Sequence, residues 1–200
     1  MGGHHSQVMA QELKGERWLI VGLGNPGEEY RLTRHNIGFL VLERLAKRKG
    51  VSLKEKTGEA LWGRGEGIIL AKPMTYMNRS GEAVKVLVRY WEVPLERLLV
   101  VHDDIDLPFG RLRIKRGGGH GGHKGVHSII ASLQDDRFPR LKLGIGRPSQ
   151  KEEVVNYVLG NFTPAEEEAL PAYLEKAVEA IETLLSEGIE EAMNRFNPPP

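Results

Sequence analysis

Trp18-Leu19-Ile20-Val21-Gly22-Leu23-Gly24-Asn25-Pro26-Gly27 is the stretch that decides the fold. A short apolar run closed by glycine reads as a buried strand, and the polar residues after Gly24 read as the loop that leaves it. Downstream, Phe39, Leu42, Leu45 and Ala46 recur at helical spacing, which predicts a helix over about 37–49 stopped by Gly50. Strands are predicted at 60–64 and 68–71, then a helix carried by Val84, Leu87, Val88 and Trp91 and ended before Pro94. The apolar run 98–102 is a further strand with Asp103 and Asp104 at its end. A half-exposed strand over 110–115, a helix over 126–133 and a strand over 141–145 come next. Thr163-Pro164-Ala165-Glu166 has the composition of a capped helix start, and Pro171 should kink or interrupt that helix. Strands alternating with helices predict one α/β domain, a mixed, twisted sheet with helices on both faces. It is expected to span 17–196, between a mobile extension at 1–16 and a frayed tail at 197–200.

The chain has 200 residues, 40% hydrophobic and 28% charged, enough for one sizeable core. It has no cysteine, which excludes disulfides, thiol nucleophiles and cysteine-ligated metals and suits a reducing cytoplasm. No apolar run approaches the ~20 residues a membrane span needs. The net charge is +1, but Arg111, Arg113, Lys115 and Arg116 cluster, with Lys124 just beyond. Such a cluster is either a solvated charged strand or the footprint of a phosphate-rich partner.

Gly22, Gly24 and Gly27 match GxGxxG after a strand, the pattern of a dinucleotide site, yet residues 28–35 make a poor sheet-packing helix. His35 lies in the polar loop between that strand and the helix at 37–49. Imidazole is the side chain best suited to accept a proton near neutral pH, and Asp103 is the leading candidate to orient it. No GxSxG elbow supplies a serine nucleophile, so the base would act on water. His102-Asp103-Asp104-Ile105-Asp106, with His120, His123 and His127, also reads as a set of metal ligands, although adjacent residues of an extended segment point to opposite faces. The glycine-rich loop 117–125 exposes backbone N–H groups ahead of a helix, an arrangement that favours anions. Asn25 and Asn78 carry amides able to donate to an oxyanion or to contact a substrate backbone, or else they simply form turns.

These segments together resemble bacterial-type peptidyl-tRNA hydrolases over roughly 17–196. The resemblance rests on Gly22 to Gly27 with Glu29-Tyr30, Thr33-Arg34-His35-Asn36, Lys72-Pro73-Met74-Thr75-Tyr76-Met77-Asn78-Arg79-Ser80-Gly81, His102 to Pro108, Gly117 to Gly125 and Gly144-Ile145-Gly146. It implies cleavage of the ester between a peptide and the terminal ribose of tRNA by a cytoplasmic α/β enzyme. The expected enzyme is monomeric and has no metal, cofactor, membrane or obligate protein partner. The resemblance makes His35 the base, Asp103 its stabilising partner, and Asn25 the residue that separates blocked from unblocked aminoacyl-tRNA. Tyr30, Tyr76, Met77, Asn78, His123 and Lys124 then bind the peptide and the tRNA 3′ end, and Arg113, Lys115 and Lys142 bind tRNA phosphates. Lys124 departs from the family pattern, which has asparagine there; a lysine donates but does not accept. Two other readings of the residues are a non-catalytic RNA-binding module and a nucleotide-cofactor enzyme built on the glycine fingerprint.

Overall fold

The computed structural model describes residues 17–148 and 153–199, so the extension predicted at 1–16 lies outside the described residues. Strand β1 (Trp18–Gly22) runs parallel to β4 (Ile68–Pro73) on one side and β5 (Leu98–Asp104) on the other. β7 (Arg140–Gly144) extends the parallel set beside β5, and β6 (Leu112–Lys115) closes that edge antiparallel to β7. β3 (Ala60–Gly65) and β2 (Glu55–Thr57) complete the opposite edge, both antiparallel. The result is a seven-stranded mixed sheet of order β2-β3-β4-β1-β5-β7-β6.

Both faces are covered, as the nearly unbroken apolar runs of β1 and β5 require. Ile20, Leu99 and Val101 pack beneath α1 (Ile37–Lys49) and α5 (Pro164–Glu187). Leu19, Val21 and Val100 pack beneath α2 (Ser80–Tyr90) and α3 (Lys124–Leu133). Each fully buried leucine or valine contributes ~1.5–3 kcal/mol. Two shorter helices, α4 (Val154–Val158) and α6 (Ile189–Phe196), flank α5.

The glycine fingerprint serves packing. A Cβ at Gly22 would stand 2.3 Å from the Gly38 carbonyl oxygen, and one at Gly38 would stand 2.4 Å from that of Val101. The first turn of α1 therefore rests directly on the ends of β1 and β5, and Phe39 N–H donates to the Leu23 carbonyl. The fingerprint leads into a three-residue 3-10 turn at Glu28–Tyr30. No helix N-terminus is presented at the turn where a pyrophosphate would sit, so the geometric basis of the dinucleotide reading is gone.

Other expectations are corrected. Pro171 does not interrupt its helix, because α5 is continuous from Pro164 to Glu187. Pro171 and Glu167 both belong to exposed positions of the helix, where the carbonyl left without its helical N–H partner costs least. The capping box at Thr163 forms as expected, with Thr163 Oγ1 accepting from Glu166 N–H at 3.2 Å and Glu166 Oε1 accepting from Thr163 N–H at 2.9 Å. Asn197, assigned from sequence to a frayed tail, is tied to the edge strand. It accepts from Ile114 N–H at 2.7 Å and donates to the Ile114 carbonyl at 2.9 Å, covering free backbone groups of β6. β2, α4 and α6 have no counterpart among the elements predicted from sequence.

Candidate active site

The sheet order reverses at β1, and a cavity of about 380 Å³ opens beyond the carboxyl ends of β1 and β5. His35 reaches it from a 3-10 turn, Arg34–Asn36, immediately before α1. That turn is held from outside. Arg34 N–H donates to the Gly160 carbonyl, while the Arg34 guanidinium donates to the Tyr157 carbonyl at 3.1 Å and to Glu166 at 3.0 Å. The position of His35 is thus tied to α4 and to the cap of α5.

Hydrogen-bond partners fix the protons around Asp103. His123 caps α3 with Nδ1, which accepts from the N–H groups of Gly125 and Val126. Its proton is therefore on Nε2, which donates to Asp103 Oδ1 at 2.8 Å. The other carboxylate oxygen, Oδ2, accepts from His35 Nδ1 at 2.8 Å. In the neutral imidazole this leaves the lone pair on His35 Nε2, the nitrogen not engaged by Asp103, which is the form a general base needs. Burial alone would raise the Asp103 carboxyl, but the two imidazoles outweigh it and hold the group well below the usual carboxylate range.

His123, placed by the sequence reading among the substrate-binding residues, borders the cavity with both ring nitrogens occupied by protein, Nδ1 on the first N–H groups of α3 and Nε2 on Asp103. His35, Asp103 and His123 are also the one group among the described residues whose atoms suit a metal ion, lying within 4.8 Å of one another. In the arrangement present, the nitrogens facing Asp103 carry protons, and a metal there would have to displace both.

Asn25 is equally polarised. Asn36 brackets its backbone, accepting from Asn25 N–H and donating to the Asn25 carbonyl, both at 2.9 Å. Asn25 Oδ1 accepts from Met77 N–H at 2.7 Å. The Asn25 NH₂ is what remains, so the side chain presents a donor to the cavity. Met77 is buried at the cavity wall. Asn78 and Tyr76 are exposed on the cavity side of the same turn, and Tyr76 stands edge-on to Tyr30 at 6.4 Å. Lys124 is the first residue of α3 and borders the cavity.

The basic residues gather beside this mouth. Arg113 pairs across the ladder with Lys142, and Lys115 with Arg140, which places all four on one face of the β6–β7 edge. Lys142 lies 3.7 Å from Asp104. Burial lowers its pKa, helped by Lys115 and Arg140 and opposed by Asp104. His120 stands edge-on to His127 with ring centroids 4.6 Å apart, outside the Asp103 cluster.

Two features escape the sequence reading. Val154, Val155, Val158 and Leu159 of α4 and its end form an apolar wall of the cavity; their i, i+1, i+4, i+5 spacing is the available signal. His102 is buried, donates from Nδ1 to the Asp103 carbonyl at 2.7 Å, and leaves Nε2 without a protein partner.

The family model described as peptidyl-tRNA hydrolase matches residues 19–200. A peptidyl-tRNA hydrolase of Chloroflexus aurantiacus is 49% identical over 186 residues, covering 90% of this chain and 99% of that one. One of Bacillus cytotoxicus is 48% identical over 183 residues, covering 90% and 98%. The crystal structure of peptidyl-tRNA hydrolase from Acinetobacter baumannii is similar with a TM-score of 0.86 at 40% identity, covering 92% of this chain and 95% of that chain.

Proposed function

Since this chain belongs to the peptidyl-tRNA hydrolase family, we propose how its residues carry out the family's reaction. The enzyme hydrolyses the ester between a peptide and the 3′-terminal ribose of tRNA, releasing free tRNA. His35 Nε2 takes a proton from water, whose oxygen attacks the ester carbonyl. Asp103 keeps the Nδ1–H tautomer and stabilises the imidazolium that forms. The tetrahedral oxyanion is stabilised by donors at the cavity edge, the Asn78 amide and the Lys124 ammonium. When the intermediate collapses, the ribose oxygen leaves with the proton from His35 as a tRNA hydroxyl, and the peptide carboxylic acid so formed releases its proton to solvent to become the carboxylate. A general base contributes ~10²–10⁴-fold and each well-placed oxyanion donor roughly 10²–10³-fold, enough for an already activated ester.

Asn25 NH₂ donates to the carbonyl of the blocked amino group, which a free α-ammonium lacks. Tyr30 and Tyr76 offer ring faces and edges to the 3′-terminal base; such stacking is worth ~1–3 kcal/mol. Arg113, Lys115 and Lys142 take the acceptor-stem phosphates. The enzyme works as a monomer and in the cytoplasm, where peptidyl-tRNA is made. No helix among the described residues is long and apolar enough to cross a membrane.

The observation that carries the mechanism is the 2.8 Å contact of His35 Nδ1 with Asp103 Oδ2, which leaves Nε2 to act as the base. Its test is release of N-acetyl-amino acid from tRNA by His35→Ala. Near-complete loss is expected with tRNA binding retained, and undiminished turnover would remove His35 as the base. A sedimentation measurement tests the monomer.

A further inference from the structure

The glycine-rich loop has nothing of its own with which to hold a shape. Between Gly117 and Gly122 five of six residues are glycine, and Gly118, Gly121 and Gly122 hold positive φ. Ordering glycine costs more backbone entropy than ordering any other residue, and no apolar side chain here offsets that cost by burial. Yet four residues past Gly119 this loop delivers His123, whose ring must cap α3 and meet Asp103 within hydrogen-bond distance.

Arg140, the first residue of β7, sits beneath the loop and is 1% exposed. Its Nη1 donates to the Gly119 carbonyl at 2.7 Å, and its Nη2 donates to the carbonyls of Gly118 at 2.5 Å and Asp136 at 2.9 Å. The guanidinium lies over the Phe138 ring at 4.4 Å, and every hydrogen-bond acceptor it has is a backbone carbonyl. The Asp136 carbonyl also accepts from Gly118 N–H, so the loop is gripped through donor and acceptor alike. Burying a charge is costly, and here the Asp136 carboxylate only offsets it from a distance, so a planar fork that reaches several carbonyls at once is the group that makes it tolerable. Beyond the clamp, His123 N–H donates to the His120 carbonyl, and Gly122 N–H donates to His120 Nδ1. A path of hydrogen bonds joined by the Gly119–His120 peptide link thus runs from Arg140 through the loop to His123, Asp103 and His35.

We infer that Arg140 is a positioning residue for catalysis: its guanidinium fixes the glycine-rich loop to the sheet and so holds His123 where it can steady Asp103. The inference rests on the reading of His35 and Asp103 as the catalytic pair. Arg140 touches no substrate.

The test is Arg140→Lys in the full chain, which keeps a cation but cannot span three carbonyls. Amide exchange over 117–123 is expected to accelerate at least tenfold while β1 and β5 stay protected. Turnover of N-acetyl-aminoacyl-tRNA should fall roughly 10- to 100-fold in kcat with KM changed less, the scale of a misplacement of about 1 Å. Unchanged kcat, or protection lost evenly across the sheet, overturns the inference. Should the variant not fold, NMR of the wild-type protein decides. Arg140 guanidinium protons should exchange slowly and show through-hydrogen-bond coupling to the carbonyl carbons of Gly118 and Gly119, and missing couplings overturn the clamp. Couplings present in a wild-type protein that cleaves no ester would instead sink the reading of the active site.

Discussion

His35 and Asp103 stand 68 positions apart in the chain, yet Nδ1 of one lies 2.8 Å from Oδ2 of the other, at the ends of neighbouring elements that meet over Gly22 and Gly38. The carboxylate accepts here from two imidazoles at once. Asp103→Asn leaves one acceptor oxygen for two N–H donors and turns an NH₂ group against one of them. Its kcat should fall ~10²–10⁴-fold with KM nearly unchanged. A variant with kcat close to that of wild type would show that the carboxylate is not needed to orient the base.

Asn25 presents a donor because Met77 occupies its oxygen. Asn25→Asp keeps the bond to Met77 N–H but replaces the donor with a second acceptor. For N-acetyl-aminoacyl-tRNA this leaves two acceptors face to face, and an unsatisfied buried group costs about 1–3 kcal/mol, or roughly 5- to 150-fold in kcat/KM. A free α-ammonium suffers no such conflict. The ratio of activities on blocked and unblocked substrates should therefore drop by that factor, and an unchanged ratio would remove Asn25 from selection.

Replacing both Arg113 and Lys115 with glutamine should raise KM for tRNA substrates and leave kcat alone. The slope of log KM against log salt should shrink by roughly 1.5, about 0.7–0.9 for each phosphate no longer neutralised. Titration of KM between about 50 and 200 mM salt reads this directly, and a slope equal to that of wild type would mean the face does not meet RNA.

His102 predicts a stability effect separate from catalysis. Burial, with His123 and Lys142 nearby, holds its imidazole well below the ordinary value of 6.5, against the pull of the Asp103 carbonyl and carboxylate. Below about pH 6.5 the unfolded chain binds a proton at this residue that the folded chain does not. Stability at this site is thus complete above that pH and is lost as pH falls, by up to ~1.4 kcal/mol per unit. Urea denaturation of His102→Gln between about pH 6 and 5 should show a shallower decline than wild type by about that slope. Parallel declines would mean that His102 is protonated in the fold.

Much of the architecture is legible in the amino-acid order. The apolar runs at β1 and β5 and the 3.6-residue spacing of α1 and α2 state it, because a core enforces those periods. Asp103 is readable as the partner of His35, since both come after the ends of predicted strands and such ends converge. The task of His123 is not readable, because it depends on a ring nitrogen meeting the first N–H groups of α3, a contact no spacing encodes. Arg140 looks like one more charged residue near a basic strand, and its burial is a property of the loop laid over it. α4 is rich in β-branched residues that favour strands, and the contacts of Tyr157 with Ile145 and Arg34 override that preference.

The close seating of α1 on the sheet has one last consequence. The distance between base and carboxylate is governed by two hydrogens, those that glycine carries at positions 22 and 38 in place of methyl groups. A single added carbon at either one would have to lift the helix, and the 3-10 turn in front of it would rise as well, carrying the imidazole out of reach of its partner. The dyad would come apart while most of the chain stayed folded, so in this enzyme the reach of the base is set by two positions that carry no side chain at all.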